Sequence, residues 1–345
     1  MPTRLLVNAK WRVSPRVSGV QRYAEGLAKA IERSNIDAEF AQPAGQGLWK
    51  GMLWEQRTLP RLARDFNALL CPANMAPMQL DESTRLMVTI HCLRFRFHPS
   101  SYSTAFVRWY KHMIPRAIER ADTIFTVSHA QLSEIESVYP SSIGKIQVIY
   151  PGLEPVFQPD LPRDPAAPEG AYLICLTAPA PAKNLSTLIR AYASVPGLPP
   201  LVLVGVDERE ADLICPEAIR IRVIPLGQMN DTTRIAKLIA NAELILAPSR
   251  YESFGLPCLE AMGCGTPVIA SEIPAHREVC RDAAAYAAPD DPVAWGAQIQ
   301  SVLGDADLQQ RMRSAGLRRS RAFRWDTSVK ILSRALKASH ASVER

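Results

Sequence analysis

Two glutamates, Glu252 and Glu260, stand with seven residues between them in the stretch Ser249-Arg-Tyr-Glu-Ser-Phe-Gly-Leu-Pro-Cys-Leu-Glu260. Carboxylates accept hydrogen bonds from hydroxyls, so two of them around one turn suit a sugar or a ribose. The residues between them suit a phosphate. Leu244-Ile-Leu246 reads as a buried strand that Pro248-Ser249 ends, and Phe254 to Met262 reads as a helix with Pro257 in its first turn. The N–H groups of Phe254, Gly255 and Leu256 then have no partner inside that helix, and the aligned peptide dipoles add roughly half a positive charge there. An anion binds at such an end. Gly255 has no Cβ, so a ligand can approach the backbone closely. A nucleoside-diphosphate sugar carries both the anionic and the hydroxylated part.

Other chemistry-bearing residues fall where strands give way to helices. Lys183-Asn184-Leu-Ser-Thr-Leu begins a helix after the strand Tyr172–Leu176, which places an ammonium at that strand's carboxyl end. His91 follows the strand Leu86–Ile90, and its imidazole is both donor and acceptor near neutrality. Gly19 in Ser18-Gly-Val-Gln-Arg-Tyr23 precedes the first helix, and Met229 lies in Gly227-Gln-Met-Asn230 after another strand.

The elements that position these residues alternate, short apolar strands with amphipathic helices, which is the pattern of doubly wound α/β domains. In the first half the strands read Leu5–Val7, Ala68–Leu70, Leu86–Ile90, Thr123–Val127 and Ile146–Ile149. In the second half they read Tyr172–Leu176, Leu201–Val204, Ile221–Ile224, Leu244–Leu246 and Val268–Ala270. Prolines 151, 155, 159, 162, 165 and 168 interrupt the series, since proline lacks a donor and restricts its neighbour. The expected organisation is an N-terminal Rossmann-like domain over 1–155, a proline-rich linker over 156–170, a C-terminal Rossmann-like donor domain over 171–322, and a C-terminal helix over 323–345 that returns to the first domain. Open parallel sheets bind ligands at the carboxyl ends of their strands, so two such domains facing a cleft are expected.

A length of 345 residues exceeds one typical domain of roughly 100–200 residues. Hydrophobic residues at 47% and charged ones at 21% exclude disorder and a coiled coil. No apolar run reaches the ~20 residues of a membrane span, and the start reads as a first strand and not a secretion signal, so a cytoplasmic location is expected. Seven scattered cysteines without a CxxC pair support neither a disulfide framework nor a zinc site. A net charge of +6 admits anionic partners of several kinds. Arg94, Arg96, Arg108 and Lys111 alternate with Phe95, Phe97, Trp109 and Tyr110, which suits an anionic lipid surface or a packed helix with solvated cations. Nucleic acid is set aside because the carboxylate pair and its surroundings point elsewhere.

With Ala247-Pro-Ser249 before it and Glu260-Ala-Met-Gly-Cys-Gly-Thr-Pro-Val-Ile-Ala-Ser271 after it, the glutamate pair resembles the E-x7-E signature of the family 4 retaining glycosyltransferases of the GT-B fold. Lys183-Asn-Leu, Val88-Thr-Ile-His91 and Ser18-Gly19 resemble further elements of that family. The resemblance implies that Glu252 holds the transferred hexose, Glu260 the ribose, and Lys183 with the N–H groups of Phe254, Gly255 and Leu256 the diphosphate. It implies that His91 touches the sugar or the acceptor, that Gly19 passes near the donor phosphates, and that the backbone around Met229 lies beside the base. No cofactor and no metal are implied, and the acceptor is a glycan or lipid-linked glycan. Two departures stand out. Pro179-Ala-Pro-Ala182 occupies the region where relatives carry an arginine, and Cys92 replaces an aspartate after His91. A nucleotide-sugar epimerase and a non-catalytic carbohydrate-binding subunit are the alternatives. A nicotinamide dehydrogenase is disfavoured, since no G-x-G-x-x-G follows the first strand.

Overall fold

The computed structural model describes residues 3–14, 18–45 and 47–338. They fall into two compact units, one formed by the chain up to Gly152 together with the segment from Phe323, the other by Leu153–Ala322.

In the first unit β1 (Leu5–Asn8), β2 (Ala38–Ala41), β3 (Ala68–Cys71), β4 (Arg85–Thr89), β5 (Thr123–Thr126) and β6 (Ile146–Val148) form one sheet in the order β2-β1-β3-β4-β5-β6. In the second, β7 (Leu173–Leu176), β8 (Leu201–Val204), β9 (Val223–Pro225), β10 (Leu244–Ala247), β11 (Val268–Ser271) and β12 (Ala284–Ala287) form another in the order β12-β11-β10-β7-β8-β9. Every described strand pair is parallel, with registers such as Leu5↔Ala68 and Ile245↔Val268. Helices cover both faces of such sheets, so the central strands are continuous apolar runs; Leu69, Leu70, Leu244 and Ile245 are all fully buried.

Two strands lie where none is expected from sequence. Ala38–Ala41 is a half-exposed edge with one large apolar residue, and Ala284–Ala287 is a single tyrosine among three alanines, alanine being a residue of low strand propensity. The strand expected at Ile221–Ile224 begins instead at Val223, because Ile221 is exposed at the end of a short helix.

The boundaries also shift. The segment 156–170 is irregular, yet it is part of the second unit and not a separate linker. Phe157 and Asp164 are buried, Asp164 accepts two hydrogen bonds from Arg234 at 3.0 Å each, and Asn241 donates to the Leu161 carbonyl. The helix Trp325–Ala338 packs on the first unit, where Trp325 lies against Gly26 and Gly152; a Cβ at those positions would stand 2.2 and 2.5 Å from it. Arg85 donates to the carbonyls of Ala335 and Leu336, and Ser328 to that of Tyr150.

Candidate active site

Counted from its own first strand, the second sheet runs 3-2-1-4-5-6, and its order reverses between β7 and β10. Ligands of open α/β sheets bind in the crevice at that switch point, beyond the strands' carboxyl ends. The loop after β7 carries Lys183, and the loop after β10 carries Glu252. The Lys183 ammonium donates to Oε1 of Glu252 at 2.5 Å, and the same oxygen accepts from the Ser249 hydroxyl at 2.8 Å. Both side chains keep some exposure, 21% for Lys183 and 16% for Glu252. Burial alone would raise the Glu252 carboxyl, but Lys183 and His276 outweigh it and hold the group below its ordinary value as an anion.

Asn184 fixes the lysine. It takes the left-handed conformation, φ 55°, and is buried. Its amide donates to the carbonyls of Pro248, at 3.0 Å, and Pro289, at 2.6 Å, while its Oδ1 accepts from Thr187. The β7 loop is thereby tied to the segments that follow β10 and β12. Arg250 ties it again: its N–H donates to the Ala182 carbonyl, and its guanidinium reaches the Pro181 carbonyl and Asp290. A guanidinium therefore does stand by this loop, supplied from β10 instead of from the residues ahead of Lys183.

His276, which sequence reasoning missed, lies beneath the turn. It is buried on the helix Pro274–Cys280, with Nδ1 within 3.1 Å of both the hydroxyl and the carbonyl of Ser271. Since the Ser271 hydroxyl donates to the Ser249 carbonyl, the hydrogen-bond network assigns the ring proton to Nδ1. Burial opposes charge on this ring, but Cys258, Glu252 and the Ser271 carbonyl raise its pKa above the ordinary value. Its position after β11 is the only signal the sequence carries.

The helix after Glu252 starts later than the sequence suggests. It spans Leu256–Cys264, with Gly255 as its N-cap at φ 98° and no side chain capping it. Phe254 is buried outside the helix, so of the three expected amides only that of Leu256 belongs to the first turn, and Pro257 supplies none. Gly255 serves packing as well as approach, since a Cβ there would stand 2.9 Å from the His276 ring. Glu260 is buried on the second turn of the helix, and burial together with this glutamate pushes the Cys264 thiol up. Met229 is partly exposed beyond β9. Its loop is fastened to the end of β8, where the Gly205 N–H donates to the Gly227 carbonyl and the Gly227 N–H to that of Val206, both glycines being at positive φ.

The remaining expected residues belong to the first unit. Gly19 opens the helix Gly19–Glu32, whose N-cap Ser18 forms a capping box with Gln21; the neighbouring positions 15–17 lie outside the described residues. His91 is buried, with Nε2 2.7 Å from the Pro72 carbonyl and its ring edge-on to Tyr23. Burial lowers its pKa to about 4, only partly offset by Pro72, so the ring is neutral at pH 7 and donates from Nε2. In the basic aromatic segment, Phe95 is buried, Tyr102, Phe106 and Tyr110 stack in a row, and Arg94 donates to the Tyr102 hydroxyl. Packing therefore accounts for much of the aromatic alternation. Arg96, Phe97, Arg108 and Lys111 are exposed.

Comparison with known proteins fits this geometry. Two family models match the chain back to back, Glycosyltransferase Family 4 over residues 43–157 and Glycosyl transferases group 1 over 158–319. The chain belongs to this glycosyltransferase family. Its second unit contains the whole of the group 1 match, including the Lys183–Glu252 pair. Among curated proteins it is similar to O-antigen chain mannosyltransferase B of Escherichia coli, 29% identical over 263 residues that cover 70% of this chain and 67% of that one. For several other curated relatives the matched stretch spans little more than half of their length. The solved structure of WaaG, a glycosyltransferase involved in lipopolysaccharide biosynthesis, superposes with TM-score 0.74 at 16% identity over 97% of this chain and 99% of that one. Anabaena Alr3699/HepE in complex with UDP-glucose superposes with TM-score 0.71 at 17% identity, over 97% of this chain and all of that one. Both show the shared architecture of two Rossmann-like domains. No helix among the described residues is long and apolar enough to cross a membrane.

Proposed function

We propose that the chain is a retaining hexosyltransferase that moves a mannose- or glucose-type sugar from a nucleoside diphosphate to a glycan or lipid-linked glycan in surface-polysaccharide assembly. One observation carries the reading: an ammonium and a carboxylate, Lys183 and Glu252, meet at the switch point of the 3-2-1-4-5-6 sheet. A diphosphate needs the first and sugar hydroxyls the second. The UDP-glucose bound to Alr3699/HepE supports the donor class, and the O-antigen mannosyltransferase and WaaG support the pathway.

As the bond from the anomeric carbon to the phosphate oxygen breaks, negative charge grows on the departing diphosphate and positive charge on the sugar ring. Lys183 and the first turn of Leu256–Cys264 stabilise the former, and Glu252 the latter. The departing phosphate takes the acceptor proton on the face it leaves, so the anomeric configuration is kept. Glu260 holds the ribose and the Gly227–Met229 backbone borders the base. Gly19 and His91 keep the phosphate and acceptor roles implied by the resemblance, and the exposed Arg96, Phe97, Arg108 and Lys111 suit an anionic headgroup near a lipid-linked acceptor.

The test is incubation of purified protein with UDP-glucose or GDP-mannose and an oligosaccharide acceptor panel, followed by mass spectrometry and proton NMR. A product heavier by one hexose, with the donor's α configuration, is expected. A β-linked product would overturn retention, and an epimerised donor formed without acceptor would establish the epimerase reading instead.

A further inference from the structure

The same Glu252 oxygen that would meet the sugar is bonded to the lysine that would meet the diphosphate. A complete donor offers a replacement for each partner: phosphate oxygens for Lys183 and sugar hydroxyls for Glu252. A bare nucleoside diphosphate offers only the first. It must draw Lys183 from a carboxylate that Ser249 holds in place at 2.8 Å, and it leaves that carboxylate without its cation. Separating one partner from a partly buried ion pair costs more than either hydroxyl contact alone would, because the remaining charge is poorly solvated.

Resting on the reading above, we propose that the Lys183–Glu252 pair is a product-release switch, in which Glu252 competes with the diphosphate for Lys183 and thereby selects intact sugar nucleotide over spent nucleoside diphosphate. The loop geometry supports a competition of this kind. Asn184 and Arg250 fix the backbone on both sides of the pair, so the ammonium is exchanged between two anions within reach of one anchored side chain. The Glu252 carboxylate then has a partner beyond Ser249 both with no ligand, in Lys183, and with the whole donor, in the sugar hydroxyls, and lacks one only with the product. Glu252 thus has a second task, in the step after transfer, beyond holding the sugar.

The experiment is calorimetric titration of UDP and GDP, and of UDP-glucose and GDP-mannose, into wild type, Glu252→Gln, Lys183→Met and the double variant. For the nucleoside diphosphate that binds, Glu252→Gln should tighten affinity by roughly tenfold or more, while affinity for the matching sugar nucleotide changes much less. In the Lys183→Met background the gain should largely disappear, which separates competition for the ammonium from general removal of a negative charge. Glu252→Asp, whose carboxylate is one methylene shorter and so holds Lys183 less closely from the same backbone, should tighten binding in the same direction and carries the test if the glutamine variant does not fold. Unchanged or weaker diphosphate binding in both, with Lys183→Met still losing affinity, would overturn the switch and leave the donor site standing. A wild type that binds none of the four ligands would overturn both.

Discussion

Burial, not sequence position, sets the charge of His91. Its ring is held neutral because the protonated form would be poorly solvated, and its pKa falls from the ordinary 6.5 to about 4. The unfolded chain therefore binds a proton that the folded chain refuses. The stability from this group is fully present above pH 6.5 and is lost as the pH falls from there toward 4, amounting to about 2 kcal/mol by pH 5. Thermal melts of wild type and His91→Gln between pH 7.5 and 5 should show a steeper fall for wild type; parallel curves would remove His91 as the cause. The residues that sequence reasoning placed best are those whose chemistry is local. Glu252 and Lys183 sit at strand ends legible from apolar runs and prolines. Their mutual bond, over 69 positions, was not legible, because spacing says nothing about which neighbouring strands β7 and β10 become. His276 was missed for the same reason: a histidine two residues after a proline has no local mark, and only the β10–β11 pairing brings it under Gly255.

At the scale of elements, the site depends on one backbone conformation at the β7 loop. Asn184 must adopt φ 55° to turn the chain from the short helix Pro181–Lys183 into the helix Leu185–Ser194. Asparagine tolerates that region better than other residues with a Cβ, and here its amide also fastens the turn to two carbonyls. Asn184→Ala should cost about 2–4 kcal/mol from lost hydrogen bonds and left-handed strain, and Asn184→Gly less, since glycine relieves the strain. Denaturant unfolding measures both. Equal and small losses would show that neither the tether nor the conformation matters. The central strands were readable because burial on two faces leaves only apolar residues. Edge strands were not, as Ala284–Ala287 shows: its identity as a strand comes from register with Val268–Ser271, such as Ser271↔Ala287, and not from its alanines. The helix start at Leu256 was misplaced by two residues because Phe254 and Gly255 look helical in pattern, while the positive φ of Gly255 makes it a cap.

For the molecule as a whole, the two sheets differ in a way that matters for where each binds. The first runs 2-1-3-4-5-6 and reverses between β1 and β3; the second reverses between β7 and β10, where the lysine and glutamate stand. The alternation of strands and helices announced two doubly wound units. It did not announce that the proline-rich segment would be held to the second by Asp164 and Arg234, an ion pair between residues 70 positions apart. A chain with net charge +6 attracts many anions, so charge alone identifies no ligand. The proposed identity of the ligand rests on the ammonium at the second switch point, which in the proposed reading meets phosphate charge in place of a divalent ion. The most direct measurement is calorimetric titration of UDP-glucose and GDP-mannose into wild type and Lys183→Met in the presence of EDTA. Wild type should bind one donor without metal, and Lys183→Met should lose roughly 10- to 150-fold in affinity for it, the range of a charge-assisted hydrogen bond. Binding that appears only on adding Mg²⁺ or Mn²⁺, or an affinity unchanged by Lys183→Met, would contradict the assignment.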